Sequence, residues 1–233
     1  MDKKFKIITK IYGVESRRDM IDATAQKLSI TKENIFLDDR INGGDPLYTA
    51  KKAYLSNHGD ATHGIFLQDD VEVCDNFLNI CEQIIQTHPD KIISLFPFDF
   101  MNEEAGLDNL SSPYVYAYTL SACGIIMPIK YIKPCFDWIK ETYNDNIADD
   151  MGIALWAGNN NISIITTIPS LIQHIGDESV ISPNHYIRRT VYYRENPIAD
   201  WSNKQIYFCK KQNSNFAPKC KNIIKIGGIL NGN

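Results

Sequence analysis

At 233 residues, 44% hydrophobic and 22% charged, the chain is long enough for one α/β domain with a sizeable core, or two small ones. Its composition is that of an ordinary soluble globular protein. No apolar run approaches the roughly 20 residues needed to span a bilayer, and no Cys-x-x-Cys pair occurs among the six cysteines, which read as reduced core residues of a cytosolic protein rather than a zinc site or disulfide framework. The net charge of −4 hides an asymmetry: residues 188–233 hold nine Lys/Arg and two Asp/Glu (9 − 2 = +7), and residues 1–187 hold 15 and 26 (15 − 26 = −11).

The amino-terminal run is basic and then apolar, as in a signal peptide, but its apolar part stops at Tyr12-Gly13 and two arginines follow, so residues 5–12 read as a first strand. Gly13 is expected to break it. A helix then runs from Glu15 to Leu28, with Met20, Ile21, Ala23, Ala25 and Leu28 on an apolar face. Arg17 and Arg18 fall at its start, beside the end of the strand, where a guanidinium can contact a base or phosphate; for Arg18 a solvated helix face is the better reading. Ile35-Phe36-Leu37 is a second strand and ends in Asp38-Asp39, an acidic end suited to a ribose or the N–H edge of a base. Asp45 is placed to cap, and Pro46 to open, a helix from Leu47 to Ser56.

Gly64 to Val73 is the stretch around which the chain is organised. The apolar strand Ile65-Phe66-Leu67 ends abruptly in Gln68-Asp69-Asp70. Ionised carboxylates beside a core are costly unless paired or holding a metal, and ligands bind at the carboxyl ends of strands in open α/β sheets. Asp69 and Asp70 are therefore expected to hold a divalent cation and a nucleotide diphosphate. After them, Asp75 is expected to cap a helix carrying Phe77, Leu78, Cys81, Ile84 and Ile85, which Pro89 ends. Residues 92–98 form a strand, 99–113 a mobile loop near the site, and 114–127 a strand-rich stretch interrupted by the small residues 121–124. A helix from Tyr131 to about Tyr143 follows, then a third acidic pair, Asp149-Asp150, at the start of a short helix. Residues 162–168 form a last strand, and 169–176 lead out of it. Alternating strands and helices without a repeat predict one α/β domain over 1–187, followed by an irregular basic extension over 188–233.

Phosphate-loop, dinucleotide-binding, nucleophile-elbow and zinc-protease motifs are all absent. What remains is carboxylates at strand ends and one placed histidine, a set that binds magnesium or manganese through oxygen. Residues 64–73 resemble the Asp-x-Asp motif of nucleotide-sugar-dependent glycosyltransferases of the GT-A fold, in the variant with adjacent acids; Gln68 departs from it at the first acid. Residues 168–179 look like the segment that closes the same site, and Asp149-Asp150 resembles the acidic motif that carries the base of inverting members. The resemblance implies a Rossmann-like, mixed, mostly parallel sheet flanked by helices, with a nucleotide-sugar half (about 1–75) and an acceptor half (about 76–187). It implies Asp70 and His174 as ligands of Mn2+ or Mg2+, with Asp69 as a ribose or metal-shell partner. Asp150 is the implied catalytic base, with Asp149 second. Arg17, Asp38, Asp39 and Gln68 complete the expected contacts to a nucleoside-diphosphate sugar.

The tail interleaves charge with rings (Arg188, Arg189, Tyr192, Tyr193, Arg194, Trp201, Lys204, Tyr207, Phe208, Lys210 and Lys211 among them). It suits a membrane surface with a lipid-linked acceptor, and also nucleic acid; packing on the acidic body is the plain alternative. The expected enzyme is a hexosyl- or pentosyltransferase, cytoplasmic or peripheral at the membrane, acting on a surface glycan or lipid-linked sugar. Transfer to hydroxylated bases in DNA is the alternative, and a non-catalytic nucleotide-sugar or nucleic-acid module the second. A nucleotidyltransferase is disfavoured by a turn at residues 13–18 with one glycine.

Overall fold

Alternation along the strands sorts their side chains into two apolar layers, one on each face of a single sheet. Ile11, Ile65, Leu67, Ile93, Ile126 and Ile165 belong to one core cluster, and their neighbours Tyr12, Phe66, Ile92, Ile125, Met127 and Ile164 to the other. The structure is a computed structural model that describes residues 5–39, 47–97, 111–117, 119–176, 189–190, 192–211 and 220–225. The expected Asp45-Pro46 cap and most of the 99–113 loop lie outside the described residues.

The strands are β1 (Ile7–Val14), β2 (Ile35–Asp38), β3 (His63–Gln68), β4 (Val71–Val73), β5 (Ile92–Ser94), β6 (Tyr114–Ala117), β7 (Gly124–Pro128), β8 (Ile164–Thr167), β9 (Ile172–His174), β10 (Tyr207–Lys211) and β11 (Cys220–Lys225). Nine of them form one mixed sheet in the order β11-β10-β6-β8-β5-β7-β3-β1-β2, and β4 pairs with β9 in a small second sheet. β2, β1, β3, β5, β8 and β11 run one way, and β7, β6 and β10 the other. The α/β class and the mixed sheet with helices on its faces are as expected. Among the described residues no helix is long and apolar enough to cross a membrane.

The helices are α1 (Arg18–Leu28), α2 (Tyr48–Leu55), α3 (Phe77–Thr87), α4 (Ile129–Tyr143) and α5 (Asp149–Asn159). Helical spacing decides what each buries. Ile21, Thr24, Ala25 and Leu28 of α1 and Phe77, Ile80, Cys81, Ile84 and Ile85 of α3 repeat at three and four residues and cover the first face. Ile132, Cys135, Phe136 and Ile139 of α4 cover the second with α2 and α5. α1 stops where Ser29 takes a left-handed conformation (φ 54°), its N–H returning to the carbonyls of Ala25 and Gln26.

Four expectations need correction. Gly13 does not break β1, which runs through to Val14; its missing Cβ serves another element, described below. Asp75 does not cap α3: the N-cap is Asn76, left-handed at φ 54° with no side-chain cap bond, while the Asp75 N–H donates to Glu195 O (2.7 Å). β5 ends at Ser94 rather than Phe98, since the Ser94 hydroxyl donates to Phe96 O (2.9 Å) and the chain turns out of the ladder. The carboxyl-terminal extension is not wholly irregular, because β10 and β11 prolong the sheet beside β6.

One buried charge stiffens the second face. Lys10, fully buried in β1, donates to Ser56 Oγ, Ala53 O (3.3 Å) and Asn57 O (3.0 Å) and meets His58 Nδ1 at 3.0 Å. Burial pushes its ammonium down to about 8, while these acceptors at the carboxyl end of α2 favour the charged form. Lys10→Met keeps the bulk but strands the acceptors. It is expected to lower stability by roughly 3 kcal/mol, read from the urea midpoint at constant slope. A loss below about 1 kcal/mol would mean that water replaces the ammonium there.

Candidate active site

Parallel pairing of β1, β2 and β3 brings their carboxyl ends to one edge. Leu67 pairs with Gly124, and the Gln68 N–H donates to Cys123 O (3.1 Å), so the 119–123 loop arrives at that edge too. Asp69 and Asp70 follow β3 there and are 5% and 3% exposed, which makes their charge compensation obligatory. Arg17 supplies it. Its Nη1 donates to Asp69 Oδ1 (3.0 Å) and to Asp70 Oδ2, and the Val14 N–H donates to Asp69 Oδ2 (2.7 Å). Burial, with the neighbouring Asp70 charge, holds the Asp69 carboxyl above its ordinary range against these donors. Two glycines make room for the pair. A Cβ on Gly13 would lie 2.1 Å from both Asp69 Cβ and Oδ2, and one on Gly176 would lie 2.7 Å from Asp70 Oδ2.

The small sheet positions the histidine. Val71 pairs with His174, and the Ile175 N–H donates to Asp70 O (2.9 Å), setting His174 Nε2 at 2.9 Å from Asp70 Oδ2. Asp70 Oδ1 and His174 Nδ1 are buried and have no hydrogen-bond partner. Among the described residues no group of three or more His, Cys, Asp or Glu side chains forms a ready-made metal cage. A carboxylate with an idle oxygen beside an imidazole nitrogen nevertheless fits a magnesium or manganese ion that takes its other ligands from water and substrate phosphates.

The acid pair of α5 divides by helical phase. Asp149 shares the inward stripe of Gly152, Ile153, Trp156 and Ala157 and is 4% exposed. Asp150, one position on, is half-buried, and its Oδ1 accepts the Met151 N–H (2.6 Å). The Tyr12 hydroxyl lies 2.7 Å from Asp149 Oδ2 and 3.1 Å from Ala122 O. A phenol has one proton to give, so both contacts are hydrogen bonds only when Asp149 is protonated and donates to Tyr12, which donates onward to Ala122. Burial first, and the Asp150 charge second, raise Asp149 to about 7, in keeping with that arrangement. Cys123 is within electrostatic reach of both acidic centres: burial lifts its thiol to about 12, and the charges of Asp70 and Asp150 both act in the same direction.

The other expected contacts are dispersed. Asp38 ends β2, paired with Val14. Asp39 is exposed and tied to α2 by Lys52 Nζ (3.1 Å) and the Tyr48 hydroxyl (3.2 Å), which hold its carboxyl below the ordinary range. Gln68 closes β3. In the tail, Tyr192, Trp201 and Tyr207 are buried, and the Tyr114 hydroxyl donates to Trp201 O (2.6 Å). These three rings are core and cannot stack on a base or enter a lipid surface. Residues 212–219 and 226–233 of the tail lie outside the described residues. Tyr12, Gly13 and Gly176 belong to the site and were not expected there.

No protein-family model and no curated protein matches the chain. Solved structures similar to it include two of the galactosyltransferase LgtC. An active-site mutant of LgtC is 11% identical over 68% of this chain and 72% of that one, with a TM-score of 0.40. The complex of LgtC with donor and acceptor sugar analogs is 12% identical over 68% and 73%, with a TM-score of 0.39. The inositol-1-phosphate CTP transferase from T. maritima is 10% identical over 71% of each chain, with a TM-score of 0.35. Likeness at this level assigns no chemistry, which has to come from the residues.

Proposed function

We propose that the chain is a glycosyltransferase of the GT-A type, moving a sugar from a nucleoside-diphosphate donor to an acceptor hydroxyl with inversion. The observation that carries this reading is the buried Asp69–Asp70 pair at the end of β3, with His174 against it and an idle Asp70 oxygen. A second carboxylate pair, Asp149–Asp150, begins α5, and the charges of Asp70 and Asp150 both reach Cys123. On this reading Asp70 and His174 hold Mn2+ or Mg2+, Asp69, Gln68 and Asp38 at the strand ends face the nucleoside, and Asp39, tied to α2, stands apart. A divalent cation there supplies Lewis-acid stabilisation of the departing diphosphate. Asp150 accepts the proton of the acceptor hydroxyl as that oxygen attacks the anomeric carbon and the carbon–oxygen bond to the diphosphate breaks. Asp149, buried and bonded to Tyr12, fixes the start of α5 and with it the position of Asp150. A surface glycan or lipid-linked sugar is the proposed acceptor.

A screen of nucleotide sugars with Mn2+, scored by nucleoside diphosphate release with and without candidate acceptors, tests the proposal. Release by one donor class is expected, and its loss in Asp70→Asn with the fold intact. Metal-dependent release that survives in Asp70→Asn would sink the metal assignment, and no release with any donor would leave a non-catalytic binding module.

A further inference from the structure

We propose that Arg17 is an internal counter-ion of the Asp69–Asp70 pair and that a divalent cation enters the site by exchange with it, the freed guanidinium turning to the diphosphate of the incoming donor. This rests on the metal reading of Asp70 and His174. It starts from one contact: a single guanidinium nitrogen, Arg17 Nη1, serves both carboxylates, and its side chain is 12% exposed against 6% and 4% for theirs. The cluster is closed over, since a Cβ on Gly176 would come within 2.7 Å of Asp70 Oδ2 and 3.2 Å of Arg17 Nη2. Asp70 Oδ1 is nevertheless left without a partner, so the guanidinium offsets one of the pair's two charges and leaves the pair incompletely satisfied.

Charge decides what can enter. Two ionised carboxylates and one guanidinium sum to −1 with a neutral imidazole. A divalent cation added while Arg17 stays makes the buried cluster +1, which burial penalises. The same cation replacing Arg17 makes it neutral. With a diphosphate present the order reverses: metal and arginine together face two or three phosphate charges, and a guanidinium binds phosphate oxygens in bidentate fashion. Arg17 stands where β1 leads into α1, at the edge where the other strand ends meet, so it exchanges one anion for the other within its side-chain reach. The free protein therefore binds the metal weakly and the metal–donor pair well.

The test is Mn2+ binding to the full chain, followed by the spin-resonance signal of free Mn2+, with and without a nucleoside diphosphate. Without nucleotide, Arg17→Gln is expected to bind Mn2+ about tenfold more tightly than the unaltered protein. With the nucleoside diphosphate this advantage is expected to vanish or reverse. Arg17→Lys retains a charge and should stay close to the unaltered protein. Equal or weaker Mn2+ binding by Arg17→Gln would overturn the exchange and leave the metal site standing; no Mn2+ binding by either protein, with or without nucleotide, would remove both. Because Arg17→Gln bares two buried carboxylates and can fail to fold, a second measurement uses the unaltered protein. The Arg17 Nε–H nuclear resonance, identified by its loss in Arg17→Lys, should move toward the position of a solvated arginine when Mg2+ and nucleoside diphosphate saturate the site. An unmoved resonance at saturation would overturn the exchange.

Discussion

Gly13→Ala is expected to destabilise the protein by about 3 kcal/mol or more and to remove turnover with it, although an alanine in a strand is ordinarily harmless. The added Cβ falls 2.1 Å from Asp69 Cβ and Oδ2 and 2.2 Å from Asp69 Cγ, and a Cβ cannot swing away as the end of a long side chain can. Either β1 parts from β3, breaking the ladder in which Tyr12 pairs with Gln68, or Asp69 leaves the Val14 N–H and Arg17. The first costs packing. The second frees a buried carboxylate and shifts the pair by on the order of an ångström, a displacement that can cost about a hundredfold in rate. Gly158→Ala is the matched control: it lies in α5 with nothing within 4 Å of its added Cβ. That change is expected to stabilise by about 0.5–1 kcal/mol, since alanine loses less freedom in a helix than glycine. Comparable urea midpoints for the two variants would mean that Asp69 is not held against β1.

What the sequence shows of this arrangement, and what it hides, follows from the range of the interactions. Helical spacing and strand alternation are local, and they place α3, α4, α5 and the strand before Asp69 within a residue or two of where they lie, while α1 begins three residues after the expected Glu15. β9 is three residues long, too short to show a period, so His174 could be placed by resemblance alone. The Arg17 contacts span 52 and 53 residues and have no local trace; an arginine just after a strand reads equally as a phosphate contact or a solvated face. Gly13 looks like a breaker because a glycine facing a side chain at the end of the adjacent strand carries the same letter as one in a turn. The tail misleads for a different reason. Rings among lysines suit lipid or nucleic acid by composition, yet Tyr192, Trp201 and Tyr207 are buried, and composition carries no register. The phase of α5 was not legible: Asp150 stands three and four residues before Ile153 and Ala154 just as Asp149 does before Gly152 and Ile153, and only the packing of the helix turns Asp149 inward.

That phase difference predicts opposite fates for two adjacent carboxylates. Asp150→Asn is expected to keep donor binding and to lose about 10²–10⁴-fold in transfer, the usual worth of a positioned base. Equal loss of donor binding would make Asp150 structural. Asp149→Asn should act on stability and its pH dependence instead. The folded Asp149 titrates near 7 and an unfolded aspartate near 3.9, so between these values the folded state keeps a proton that the unfolded chain has released. Stability from this group is fully present below the unfolded value and is lost as pH rises through the folded one. Asparagine carries its amide protons at every pH and can donate to Tyr12, which donates on to Ala122 O as before. The difference in unfolding free energy, variant minus unaltered protein, should therefore climb from pH 4 to 7 by on the order of 4 kcal/mol and then level off. A flat difference across that range would mean that Asp149 ionises like an exposed aspartate, leaving the Tyr12 proton to choose between two acceptors. A climb together with intact transfer at neutral pH would leave Asp150 alone to take the proton.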